Sequence, residues 1–380
     1  MDFEFTDEQV SLRDAVARWV DKGFAFERRL ALARAGGRTR EVWGELAELG
    51  LTGLAVPEDH GGMGFGPVEA MVVMEELGRG LVNAPYAMGA LVAPALLGAG
   101  PVELQQAWLP RVATGDALVV LAHHERAARH RLHHVGTRAV AAGGAEAGYR
   151  LSGAKSVVPA GDEADAFIVP ARLSGAVDDP AGIALFLVAR GAPGLTIGAH
   201  PTQDGARAAE LQLADTPAAL VCAAGWPVLE HAADIGIAAA CAEGVGLMDR
   251  MLAITVDYMN TRRQFGVPIA SFQALRHRVA DVKMQLELAR SMSYYASLKL
   301  GEPAEQRRRA LSQAKVQLGR SMRQVGQECI QLHGGIGVTQ EYVGSHYFKR
   351  LTVLELIWGD TMHHLGEVSC RMQDTAGVFA

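Results

Sequence analysis

Thr261-Arg262-Arg263-Gln264-Phe265-Gly266-Val267-Pro268-Ile269-Ala270-Ser271-Phe272-Gln273 sets a cationic turn between two long segments of helical periodicity. Upstream, Ile235, Ala239, Ala242, Val245, Met248, Leu252, Val256 and Met259 recur at three- and four-residue steps, which predicts a helix whose apolar face runs up to the arginines. Gly266 and Pro268 break that helix. Ser271 is then placed to cap a second one, carried by Leu275, Val279, Val282 and Leu286. Two guanidinium groups fixed at such a junction can grip an anion bidentately, which a lysine cannot do. The plainer alternative is that Arg262 and Arg263 only complement the negative end of the helix dipole.

Around this turn the chain divides by texture. Thr6 with Gln9 reads as a capping box ahead of Val10, Leu12, Val16 and Val20, and further helices are predicted over residues 39–49, 67–81, 85–97 and 101–113. Between about Val119 and Trp226 the pattern changes to short apolar runs, such as 166–169, 183–188 and 195–197, separated by Gly, Pro and Asp. That is a strand-and-turn pattern, with residues 141–148 reading as a flexible hairpin tip. Long helices return after Pro227, and Leu311, Ala314, Leu318, Met322, Val325, Cys329 and Leu332 mark the third of them. The expected fold class is α+β multidomain: an N-terminal helical domain over 1–118, a central β domain over 119–226 and a helical domain over 227–380.

Composition narrows the partners. A chain of 380 residues, 49% apolar, has enough material for two or three cores. A net charge of −6 gives no general polyanion-binding surface, so nucleic acid is not an expected partner. Cys222, Cys241, Cys329 and Cys370 lack paired or metal-like spacing and read as small core residues of a reducing compartment. The acidic start Met1-Asp2-Phe3-Glu4-Phe5 has no signal-peptide character, and the apolar stretch from Met88 to Gly98 is too short to span a membrane and contains Pro94. A cytoplasmic protein that does not use the membrane is expected. His123, His124, His130, His133 and His134 fit no tetrahedral metal template, and no metal is assigned.

Three blocks together resemble the acyl-CoA dehydrogenase family. They are Arg262-Arg263-Gln264-Phe265-Gly266 followed by Phe272-Gln273-Ala274, then Gln331-Leu332-His333-Gly334-Gly335-Ile336-Gly337, and near the N-terminus Leu49 to Glu58 with His60-Gly61-Gly62-Met63-Gly64. Within that family, His123-His124-Glu125-Arg126 and Trp358 to His364 are most similar to the small subunit of pimeloyl-CoA dehydrogenases. The resemblance implies an N-terminal helical domain, a central β-barrel-like domain and a C-terminal four-helix bundle. It implies FAD as cofactor and α,β-dehydrogenation of an acyl-CoA thioester, with electrons leaving to an electron-transfer flavoprotein-like acceptor. Carried over, Arg262, Gln264 and Phe265 would meet the FAD diphosphate and adenosine side, and Gln331, Leu332, Gly334 and Gly335 would reach a cofactor from a neighbouring subunit. Thr361 matches the family threonine that meets FAD. The plainer reading of the two glycines is a helix C-cap.

The sequence also departs from the family. The Thr-Glu-Pro segment beside the flavin ring is His124-Glu125-Arg126 here, and the Trp-Ile-Thr after Gly153-Ala154-Lys155 is Val157-Val158-Pro159. Gly359 stands where the family has its catalytic glutamate, and Gly236 falls near the alternative position for it. Asp360, one residue displaced, is the remaining catalytic candidate in that loop, and Asp234 is a more remote one. Two readings follow: a subunit of a hetero-oligomer whose homologous large subunit supplies the base, or a non-catalytic structural or acyl-CoA-binding subunit. A homotetramer using Asp360 is a third.

Overall fold

The computed structural model describes residues 4–143 and 148–372. The first three residues of the acidic start and positions 144–147 of the expected hairpin tip lie outside the described residues. Contacts group the chain into two compact units, Met1–Leu30 with Pro67–Val82 and Ile237–Ala380, and Ala31–Gly66 with Asn83–Gly236. The expected division into three consecutive domains follows order along the chain, whereas contacts share the N-terminal helices between the two units.

The first unit is helical. It contains α1 (Asp7–Gly23), α4 (Pro67–Arg79), α8 (Gln273–Lys299), α9 (Ala304–His333), α10 (Val343–Leu356) and α11 (Thr361–Met372), with the start of α2 (Phe26–Arg34) and most of α7 (Gly225–Thr261). Thr6 caps α1 as its sequence predicts: the hydroxyl accepts from Gln9 N at 3.2 Å and the Gln9 side chain accepts from Thr6 N at 3.0 Å. On α9 every apolar residue named from the sequence is buried, and α8, α10 and α11 pack against it.

α7 forms as expected and buries more than the expected apolar face. Burial is not confined to one face, because residues 236–248 are buried on every side. A helix apolar all round belongs inside a core, surrounded by neighbours. Gly246 explains how one neighbour comes so close: a Cβ there would strike the backbone carbonyl of Glu75 on α4. Arg290 of α8 ties this contact laterally, through ion pairs with Glu75 and with Asp249 at 3.1 Å.

The second unit is built on a seven-stranded sheet. Its strands are β1 (Val119–Leu121), β2 (Arg138–Ala141), β3 (Tyr149–Pro159), β4 (Ala166–Arg172), β5 (Ile183–Ala189), β6 (Leu195–Pro201) and β7 (Arg207–Cys222). β4 meets β2, β2 meets β3, β3 meets β7, β7 meets β5, and β5 pairs back along the whole of β4, so the sheet closes into the expected barrel-like form. All seven residues of β4 are buried, which is why the strand reads as an apolar run up to Arg172 rather than an alternation. Helices α3 (Arg40–Glu48), α5 (Ala93–Leu97) and α6 (Val102–Ala113) complete the unit, and Arg40 on α3 binds Asp165 at 2.8 Å.

The helix expected over 85–97 forms, as a π-helix over Ala87–Val92 that runs into α5. Other local expectations are overturned. Ser271 caps nothing: its hydroxyl donates to Pro268 O at 2.7 Å, closing a short 3-10 turn, and Phe272 precedes α8. Helix α2 was not expected at all, because Arg29 is the buried residue of an otherwise charged segment. Cys370 is exposed, so the four cysteines are not all core residues.

Candidate functional site

Helix α7 ends at Thr261 and the cationic segment folds into a hairpin, β8 (Arg263–Gln264) against β9 (Val267–Pro268). Its two-residue loop has φ of 51° at Phe265 and 80° at Gly266. Two successive positive φ angles match the twist of such a hairpin, but an aromatic residue at the first of them is held at a cost on the order of 1–3 kcal/mol. Phe265 is 91% exposed, and its ring stands perpendicular to that of Phe272 with centroids 6.1 Å apart. Arg262 N donates to Tyr258 O at 2.8 Å, and its carbonyl accepts from Ile269 N at 2.8 Å, which fixes where the side chain starts. Arg262 is exposed, and among the described residues its guanidinium has no hydrogen-bond or ion-pair partner.

The second block adjoins this turn. His333, at the end of α9, stacks on Tyr258 with ring centroids 4.6 Å apart. Its Nδ1 lies 2.8 Å from Cys329 O, so Nδ1 carries the proton and Nε2 accepts from the Tyr342 hydroxyl at 2.8 Å. Burial lowers the pKa of this imidazole, which keeps it neutral. Gly334 follows as the C-cap at φ 65° and ψ −142°, so the plainer reading of that glycine applies, though not to the exclusion of ligand contact. A Cβ built on Gly334 or Gly335 meets nothing within 4 Å, leaving the backbone open to a large group. Gln331 is exposed, whereas the Leu332 side chain is buried and could offer a ligand its backbone only.

The loop from Trp358 to Asp360 is clamped from three sides. Lys315, buried in α9, donates to Leu354 O and Glu355 O at 2.9 Å and to Gly359 O at 3.0 Å, so the ammonium also neutralises the carbonyl end of α10. Burial lowers the Lys315 pKa to about 8. His364 is oriented by Trp358 O at 3.0 Å and by the Ser312 hydroxyl at 3.2 Å. Because the carbonyl can only accept, His364 carries its proton on Nε2. Asp360 Oδ1 accepts from His363 N at 2.7 Å, and Glu355 Oε1 accepts from Thr361 N at 3.0 Å and from its hydroxyl at 2.7 Å. Both carboxylates thus serve the N-terminus of α11.

Gly359 itself has φ 106°, and a Cβ there would lie 2.5 Å from His363 Cδ2 and 2.8 Å from His364 Nε2. The loop therefore lacks not only the carboxylate but the room for a side chain. Asp234 is wholly buried in the first third of α7.

In the second unit, Glu125 is fully engaged. Oε1 accepts from Lys155 Nζ at 2.7 Å and from the Thr137 hydroxyl at 2.7 Å, while Oε2 accepts from Gly136 N at 2.7 Å. The two departures noted in the sequence are thus linked, since Lys155 belongs to the Gly-x-Lys segment. Beyond it β3 is irregular, with Val157 at φ 50° and exposed while Val158 is buried. His134 binds Asp178 at 2.7 Å, and His133 meets Trp226 edge-on at 6.0 Å. Among the described residues no group of three or more His, Cys, Asp or Glu is arranged to hold a metal ion.

Sequence reasoning missed Lys315 and His364. Lys315 had a signal, a lysine four residues after Leu311 within the apolar stripe of α9; His364 had none, because what fills the space beside Gly359 is set by the turn of the loop.

Sequence profiles for the N-terminal, middle and C-terminal domains of acyl-CoA dehydrogenases match residues 6–116, 119–216 and 223–372. Acyl-CoA dehydrogenase FadE27 of Mycobacterium tuberculosis is 30% identical over 99% of this chain and 100% of its own. A chain of the ChsE4-ChsE5 complex from the same organism is 28% identical at a TM-score of 0.87, covering 99% of this chain and 100% of that one. Glutaryl-coenzyme A dehydrogenase in complex with glutaryl-CoA shares the fold at a TM-score of 0.89 and 22% identity, over 98% of this chain and 97% of its own. Among the described residues no helix is long and apolar enough to cross a membrane. With all three domain profiles in order and a relative matched from end to end, the chain belongs to the acyl-CoA dehydrogenase family of FAD-dependent oxidoreductases.

Proposed function

We propose that this chain is one subunit of a hetero-oligomeric acyl-CoA dehydrogenase that oxidises an acyl-CoA thioester to the trans-2-enoyl-CoA, with a homologous large subunit supplying the carboxylate base. The observation that carries this reading is Gly359, where φ and the rings of His363 and His364 leave no place for the glutamate side chain. Asp360 is turned to helix capping, and its use as base would require the loop to give up that contact. A similar chain occurs in the ChsE4-ChsE5 complex, which supports assembly with a second, different chain.

The residues present fit a cofactor's diphosphate and adenosine side. Arg262 offers an exposed guanidinium, Gln264 and Phe265 project from the same hairpin, Gln331 is exposed, and Gly334 and Gly335 offer open backbone. The Tyr258–His333 stack joins the two blocks within one chain, so both would serve the same FAD. Thr361 would approach it through the hydroxyl oxygen, whose proton is given to Glu355. FAD supplies the hydride acceptor that no side chain provides. The chain's own part is to hold the cofactor and keep the Trp358–Thr361 loop rigid, while the partner's carboxylate takes the α proton. An electron-transfer flavoprotein-like protein would take the electrons onward.

Co-expression with a homologue that carries the glutamate should give a yellow complex, bleached anaerobically by an acyl-CoA. Arg262→Ala should cost that complex its flavin, and normal flavin retention would refute the assignment of the turn. The second reading, a non-catalytic subunit, is favoured by His124-Glu125-Arg126 and Val157-Val158-Pro159 standing where the family has the segments beside the flavin ring. That reading stands if neither the lone chain nor any such pair holds FAD.

A further inference from the structure

One face of α9 governs the whole loop between α10 and α11. Ser312, Lys315, Gly319 and Arg323 follow one another at steps of three and four, so they share a side of the helix. The Ser312 hydroxyl meets His364 Nδ1 at 3.2 Å, and the Lys315 ammonium meets Gly359 O at 3.0 Å. A Cβ on Gly319 would strike the Thr361 hydroxyl, so that hydroxyl is seated against the backbone of α9. Arg323 stands 3.5 Å from Glu355 Oε1, the oxygen that holds Thr361. All of these residues lie in the helical unit.

Lys315 is buried, and its three N–H groups are matched by three carbonyls. Leu354 O and Glu355 O belong to the last turn of α10, where the helix itself supplies no donor. Gly359 O belongs to the loop and is the farthest of the three. A neutral amine has two N–H groups and a lone pair, so one carbonyl must go without. The loop carbonyl, with no helix to hold it in place, is the one that lets go. Cys241 of α7, Glu355 of α10, Asp360 of the loop and His364 of α11 are the titratable groups that face the ammonium. Burial pushes the Cys241 thiol up to about 12 and His364 down to about 3, so neither changes charge where Lys315 does, at about 8.

We infer that Lys315 is a positioning residue for the cofactor: its third N–H holds Gly359 O, which fixes the Thr361 hydroxyl oxygen for FAD, and loss of that N–H frees the loop and the flavin. The inference rests on the flavin reading of Thr361. Global stability moves the other way. Between about 8 and the ordinary 10.5 the folded chain has given up a proton that the unfolded chain still binds, so this group makes stability rise with pH. Flavin released in that window therefore reports the loop and not unfolding.

Hydrogen exchange of the lone chain, corrected for the pH dependence of chemical exchange, should show residues 357–363 losing protection from about pH 7 to about pH 9.5, while the body of α9 keeps it. The assembled complex should release FAD about tenfold faster at the higher pH, as expected for one lost charge-assisted hydrogen bond. Lys315→Gln, neutral and with two N–H groups, should release FAD about tenfold faster already at neutral pH and lose the pH dependence. A loop whose protection ignores pH overturns the inference, as does a glutamine variant that keeps the wild-type profile. A wild-type complex without FAD at any pH would refute the flavin reading together with it. A flat loop profile in a complex that does hold FAD refutes the inference alone.

Discussion

A side chain at Gly359 would need a rarely populated backbone at φ 106° and would have to displace two imidazoles. Gly359→Glu should therefore destabilise the fold by on the order of 1–3 kcal/mol in denaturant unfolding and give the lone chain no dehydrogenase activity. Restored activity would sink the argument from the loop. Asp360 is a sharper case, since capping and catalysis separate: Asp360→Ala should cost about 1 kcal/mol, while Asp360→Asn keeps the cap and leaves turnover of the assembled complex unchanged. A collapse of turnover in the asparagine variant would instead make Asp360 the base. His364 carries a pH signature. Burial lowers its pKa from the ordinary 6.5 to about 3, so between those values the unfolded chain binds a proton that the folded chain refuses. Stability is then lost as pH falls from 6.5 toward 3, by up to about 1.4 kcal/mol per pH unit. The difference between wild type and His364→Gln in acid unfolding should show that slope, and parallel curves would contradict it.

Helices were legible where one stripe of residues decided their fate. α9 shows this, with Leu311 to Leu332 all buried, and α1 shows it with a complete capping box. α7 was legible in existence and not in surroundings, because a sequence with apolar residues on every side does not say which neighbour covers which face. Gly246 holds that missing information. Gly246→Ala must push α4 from α7 and should cost on the order of 1–3 kcal/mol by thermal or urea unfolding. An unchanged midpoint would mean the two helices have slack between them. The closed sheet was legible as texture only: β7, 16 residues long, is read by β3, β5 and β6 in turn, and no local pattern specifies such shared pairing. Ser271 misled for a related reason, as a hydroxyl before a helix can cap it or close the turn ahead, and here Pro268 O was nearer to hand.

At the scale of the whole molecule, the order of helices, strands and helices came from periodicity, and the cofactor-side residues came from the family resemblance carried by three short blocks. What sequence could not supply was the reason that the usual base position, 359, is a glycine. That reason lies in contacts between α9, α10 and α11 made through Lys315 and His364. The corresponding prediction concerns assembly: affinity-tagged chain should co-purify with a glutamate-bearing homologue in a fixed ratio, and flavin content should follow the amount of complex, not the amount of this chain. Flavin bound in full by the lone chain would argue for a self-sufficient oligomer. The filled space beside Gly359 also works as a ratchet. A subunit that had merely lost its glutamate could regain independence by one codon change, whereas this one must first rebuild the packing of two histidines. The proposed dependence on a partner would then persist with no selection acting to maintain it.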